Sequence, residues 1–165
     1  EEGEGDDVDA WQSQDTSRHF ERQRRADLQN DNDPDQLRLI RTGPDIYRDS
    51  IIFEITRHDS IRYRDTWPLS AYFKARPQLT DEERKQIIRA ELDRFFQPGS
   101  FVHTDSLAYQ DWSHWADVQP KSPAMAELMH TGGLMFNYYA GDKGSKGIAW
   151  FASSRKFIDV WRSGI

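Results

Sequence analysis

The 165-residue chain is 36% hydrophobic and 30% charged and contains no cysteine. That length suits one domain burying about two-thirds of the surface its unfolded chain exposes, and the missing thiols exclude disulfides, thiolate metal sites and cysteine nucleophiles. Six of the 28 acidic residues and none of the basic ones fall in "EEGEGDDVDA", so the net charge of -6 belongs to this stretch and residues 11–165 are neutral.

A neutral body argues against a general nucleic-acid binder, which needs a basic footprint to displace phosphate counterions. No apolar run approaches the roughly 20 residues that span a bilayer. There is no N-x-[ST] acceptor, and the chain starts at Glu1 instead of Met, as a processed or trimmed chain would. Such a start suits an organellar protein, a mitochondrial one included, and the other reading is cytoplasmic.

Residues 1–15 have no apolar period and read as an acidic extended arm; residues 16–165 read as a single α+β domain. The segment 16–29 predicts a polar helix anchored only by Phe20 and Leu28. Within it, "RHFERQRR" (18–25) gathers Arg18, Arg22, Arg24 and Arg25, a candidate contact for phosphate or an acidic partner, with a solvated helix face as the plainer alternative. A short helix is expected over 33–43, with Asp33 as cap, Pro34 at its first position and Gly43 past its end.

In "DSIIFEITRHDSIRYRDTW", Ile51, Phe53 and Ile55 alternate ahead of His58-Asp59, which predicts a β-hairpin; a helix carrying Tyr47, Ile51 and Ile55 on one stripe is the competing reading. The strongest element is a long amphipathic helix over 80–96. Thr80 and Glu83 form a capping box, Ile87, Ile88, Leu92, Phe95 and Phe96 make its apolar stripe, and Pro98-Gly99 stops it. A short helix follows over 122–131, with Ser122 as cap, Pro123 at the first position and Gly132 beyond the end. "LMFNYYAG" and "KGIAWFAS" read as strands joined by a Gly-rich loop. The C-terminal "SRKFIDVWRSG" reads as a short helix with Phe157, Val160 and Trp161 inward. No internal repeat is present.

The stretch "HTDSLAYQDWSHWADVQP" (103–120) admits two chemistries. His103 and Asp105, with His114 or His130, supply the residue types of a two-histidine, one-carboxylate metal site, although H-x-D is a very short pattern. Tyr109, Trp112 and Trp115, with Trp11 in the arm, offer large rigid surfaces that suit partner binding or, alternatively, a core. "DNDPD" (31–35) imitates a calcium loop but lacks its glycine and closing glutamate, and "GDKGSKG" lacks the order of a phosphate loop.

The 16 arginines against 6 lysines, with the tryptophans and tyrosines, match interface composition; genomic codon bias would give the same count. The expectation is a non-catalytic accessory or structural subunit, or interaction module, of a larger protein assembly. An organellar complex of the respiratory type is one setting that fits. Its partners are other protein subunits and it needs no cofactor. The alternative is a small metal-dependent enzyme built on the His-x-Asp…His pattern.

Overall fold

Period-two alternation builds the largest share of the described residues. In the computed structural model, which describes residues 19–104, 127–128 and 132–164, four strands follow one another as an antiparallel meander: β1 (His19–Ala26), β2 (Asp35–Thr42), β3 (Ser50–Arg57) and β4 (Ser60–Pro68). Helix α1 (Asp81–Arg94) leads to a second meander of β5 (Phe101–His103), β6 (Leu134–Tyr139), β7 (Ser145–Phe151) and β8 (Lys156–Ser163). The described residues are 47% strand and 22% helical, with one helix of seven or more residues. The protein is therefore mostly β, and the α+β expectation is corrected.

Three expected helices were involved. Within the segment 16–29, His19–Ala26 form β1, because pairing with β2 along the whole strand gives its polar side chains a ladder that an isolated polar helix lacks. The segment 33–43 forms β2, in which Leu37 and Leu39 are fully buried two residues apart, a strand spacing that helix propensity does not overcome. Its supposed caps serve turns. The Asp33 amide donates to Asp31 Oδ1 at 3.1 Å and its carbonyl accepts from Arg57, and Gly43, at φ +135°, leaves room where a Cβ would strike Asp49.

The third is the C-terminal segment, which forms β8. Phe157, Val160 and Trp161 are all buried, as expected, but by a β-bulge. Gly147 pairs with Trp161 while Ile148 pairs with Asp159, so Val160 is an extra residue. The bulge converts a strand into a segment whose buried residues fall at i, i+3 and i+4, the helical spacing that the sequence displays.

The remaining elements follow the sequence. β3 and β4 form the expected hairpin across His58 and Asp59, whose φ values of 49° and 63° are those of a two-residue I′ turn. The Thr80–Glu83 capping box is made in both directions, at 3.2 and 3.1 Å. β6 and β7 are the predicted strand pair. Of the helix expected over 122–131, Glu127 and Leu128 are helical. Gly132, at φ +69°, donates to the Leu128 carbonyl at 3.1 Å as a left-handed cap does. The rest of that segment and the acidic arm lie outside the described residues.

The inner faces of the two meanders share one core with α1. Phe53 of β3 lies 5.3 Å from Phe95, 5.3 Å from Phe136 and 5.1 Å from Tyr138, so a single ring touches sheet, helix and opposite sheet. The outer face of the second sheet has its own cluster of Leu128, Met135, Ala149, Phe151, Val160 and Trp161. There the Trp161 indole lies over Gly147 and donates to Asn137 Oδ1 at 2.9 Å. A Cβ on Gly147 would collide with that indole and with Asn137. Gly147→Ala should therefore destabilise the chain by about 1–3 kcal/mol, the range for overpacking; an unchanged denaturation midpoint would mean the indole shifts freely.

Arg57 organises the β1–β2 loop by binding Asp31 at 2.5 and 3.0 Å and Asp35 at 3.1 Å. The hydrogen bond from Arg57 holds the exposed Asp31 carboxyl below its usual range. Its contribution is thus complete above the ordinary aspartate value of about 3.9 and is lost as pH falls through the lowered one. Asp35 runs the other way, because burial raises its carboxyl despite Arg57, so its ionisation weakens the fold as pH rises and partly offsets Asp31. In denaturant titrations at a series of acidic pH values, Asp31→Asn should flatten the loss of stability below about pH 4; a slope equal to the parent's would remove Asp31 from the acid response.

Candidate functional site

Two features converge on Tyr138. The first is a polar chain between the sheets. Alternation along β4 points Tyr63, Asp65 and Trp67 inward, and β6 points Phe136 and Tyr138 toward them. Lys146 of β7 sits opposite Tyr138 in register. The Tyr138 hydroxyl donates to Asp65 Oδ2 at 2.6 Å and Lys146 Nζ reaches the same oxygen at 3.0 Å. The Tyr63 and Tyr138 hydroxyls are 2.7 Å apart; with the Tyr138 proton committed to Asp65, Tyr63 is the donor.

Burial pushes both tyrosines well above the ordinary phenol range. The neighbouring Tyr63 and the bond to Asp65 raise Tyr138 further. Both hydroxyls therefore remain protonated donors at physiological pH and do not supply a phenolate nucleophile or base. The chain of donors ends on a carboxylate that an ammonium already neutralises. Its evident work is to hold β4 of one sheet against β6 and β7 of the other.

The second feature is a cleft of about 240 Å³ on the far side of Tyr138, between the C-terminal half of α1, the turn before β5 and the edge of β6. Glu91 and Arg94, ion-paired one helical turn apart, form one wall. Phe95 and Tyr138 contribute aromatic surface, and Asn137, Tyr139 and Trp161 line the sheet side. Tyr139 is 43% exposed.

The residues singled out by sequence are placed differently. Arg22 is buried on the inner face of β1, where it donates to the Leu92 carbonyl and to Asp93, each at 2.8 Å. Arg24 donates to the Phe96 carbonyl and lies 4.5 Å over the Phe101 ring. Both thus cap the C-terminal end of α1, where unpaired carbonyls collect. Arg25 is exposed on the opposite face of β1, and His103 is exposed at the end of β5. Trp11, Arg18, Asp105, Tyr109, Trp112, His114, Trp115 and His130 lie outside the described residues. Among the described residues no group of three metal-ligating side chains converges.

Sequence reasoning missed Tyr63, Asp65, Tyr138 and Lys146 because 73 to 81 residues separate the bonded pairs from β4 to β6 and β7. The one available signal was a carboxylate, Asp65, at an inward position of an alternating strand. Comparison with known proteins finds no matching family model, and neither a curated protein nor a solved structure that is significantly similar.

Removing the Tyr138 hydroxyl takes one bond from a charged acceptor, whereas removing Asp65 leaves Lys146 between the sheets without its counter-charge. Tyr138→Phe should cost about 1.5 kcal/mol, and Asp65→Ala about 3 kcal/mol, the low end for a buried pair because both charges keep some solvent contact. Chemical denaturation measures both, and equal costs for the two variants would show that Lys146 finds water instead.

Proposed function

We propose that this chain is a non-catalytic interaction module, an accessory or structural subunit of a larger protein assembly. The observation that supports this is the cleft beside Tyr139. Its volume of about 240 Å³ falls below the roughly 300–1,000 Å³ of sites for cofactors and drug-sized ligands. Its walls carry tyrosine, tryptophan and arginine, the side chains on which binding energy concentrates between proteins.

The fate of the reactive groups adds to this reading. Asp65, Lys146 and the two tyrosines bond to one another, and Arg22 and Arg24 bond to the helix end. Each of these side chains is committed to holding layers together, and what faces outward at the cleft is a binding surface.

The test is the native mass of the protein in a gentle extract of cells that make it, with identification of whatever co-purifies in stoichiometric amount. A large complex is the expected result, and its partners and compartment would name the assembly. A free species near the chain's own 19.4 kDa would overturn the reading.

A further inference from the structure

The two charges on the helix wall of the cleft are not equivalent. Glu91 and Arg94 stand in the last turn of α1, and the Arg94 side chain is 58% exposed while that of Glu91 is 21% exposed. The carboxylate is thus the charge held inside the cleft, and the guanidinium lies at its rim. Arg94 Nη2 donates to Glu91 Oε1, and no other side chain or amide among the described residues bonds to this carboxylate. A carboxylate accepts at both oxygens, and Glu91 Oε2 is neither bonded nor sealed from solvent. The partial negative charge at the C-terminal end of a helix adds to it. Arg94 itself is held by an ion pair of the exposed kind, which is weak, so it gives way to a better donor.

No other residue lining the cleft carries a charge. What the remaining walls offer is acceptors and one aromatic face. Ser100 is 8% exposed, and its hydroxyl has no hydrogen-bond partner among the described residues. Asn137 Oδ1 takes the Trp161 indole at 2.9 Å and, with two lone pairs, accepts a second donor. Tyr139 stands at the mouth, and its ring is steadied by Tyr72, with centroids 5.7 Å apart at 61°. The volume of about 240 Å³ equals that of about eight water molecules at roughly 30 Å³ each. That is room for one long side chain and not for a folded element.

We propose that the cleft takes a single arginine side chain of the partner protein, with its guanidinium on the open side of Glu91 and its plane against the Tyr139 ring. This inference rests on the interaction reading above and names the residue by which the partner is recognised. A guanidinium is a planar fork that matches a carboxylate and stacks on an aromatic ring, and it is more weakly hydrated than an ammonium, so it is the cation that loses least on entering. Its five N–H donors find acceptors in Glu91, the Ser100 hydroxyl and Asn137 Oδ1. A carboxylate in the same space would meet Glu91 as a like charge. An apolar side chain would strip water from Glu91 and Ser100 and return no hydrogen bond. The chain uses the same combination of carboxylate and ring internally, where Arg84 donates to Asp81 at 3.0 Å while lying 5.7 Å from the centre of the Tyr47 ring.

The test titrates the isotope-labelled protein with acetyl-arginine methylamide and follows amide shifts by NMR, beside the same capped forms of lysine, citrulline and glutamate. The arginine probe should bind in the millimolar range and shift amides of residues 91–100 and 137–139. Citrulline, which has the shape without the charge, should bind about tenfold or more weakly, and Glu91→Gln should weaken the arginine probe by a similar factor, as loss of a charge-assisted bond does. Tyr139→Ala should weaken it severalfold. Arg94→Ala, which removes the internal competitor for Glu91, should strengthen it. Unchanged denaturation midpoints confine these effects to the cleft, and if either weakening variant loses its fold the other carries the test. No shift at tens of millimolar, citrulline or lysine equal to arginine, or glutamate as the tightest probe would overturn the proposal. So would weaker arginine binding by Arg94→Ala. If Glu91→Gln enters the native assembly unimpaired, the cleft proposal fails while the subunit reading stands; if there is no assembly, that reading fails whatever the cleft binds.

Discussion

Two four-stranded meanders can share one core only if something fixes their separation and their angle, and here that constraint is met by aromatic rings on the inside and by charge at the margins. Phe53 contacts rings from the helix and from the opposite sheet, and Trp67 stacks on Phe95 and Tyr138 at 6.0 and 5.7 Å. Each such side chain contributes about 1.5–3 kcal/mol through burial, with about 1 kcal/mol more per well-oriented ring pair. Hydrophobic burial is non-directional, however, and would hold the layers together at many angles. The directional component comes from the margins. Tyr138, Asp65 and Lys146 tie β4 to the second sheet on one side, while Arg22 and Arg24 tie β1 to the end of α1 on the other.

Those marginal bonds explain why arginine is prominent. The guanidinium is a rigid fork that can satisfy a carbonyl and a carboxylate at once, as Arg22 does with Leu92 and Asp93. Arg41 holds the buried Asp49 at 2.7 Å, and Arg38 lies between Glu21 at 2.7 Å and Glu54 at 3.5 Å on the outer face of the first sheet. Much of the arginine excess is thus engaged within the chain. As an indicator of partners the count is weaker than it looks in the sequence, and the case for an interaction module rests on the cleft instead.

How much of this was legible in the sequence differs from element to element for physical reasons. The β3–β4 hairpin, the capped helix and the β6–β7 pair were readable because each is specified locally, by a two-residue turn, a capping box and a Gly-rich loop respectively. β1 and β2 were not, because both depend on a partner strand. A polar segment such as "HFERQRRA" gains nothing from being a strand until β2 is beside it, and Asp33-Pro34 is as good a turn as it is a cap. β8 misled in a different way, since a single bulged residue reproduces helical spacing in a strand. The polar chain around Asp65 was out of reach altogether, because its register is set by two separate sheets.

The same bulge has a structural counterpart across the sheet. By inserting Val160 it swings Trp161 onto Gly147 and into hydrogen-bonding reach of Asn137, so the side chain of Asn137 is engaged on the outer face of the sheet. The ring of Tyr138, the next residue, is held on the inner face by Trp67 and Phe136 and by the bond to Asp65. Two consecutive residues of β6 are therefore pinned on both faces of the sheet at the point where β5 gives out. A mobile cleft wall would have to be ordered on binding at a cost in conformational entropy of about 1–2 kcal/mol per residue. A wall held from both faces has met that cost on folding, which is the condition under which a few side-chain contacts suffice for specific recognition.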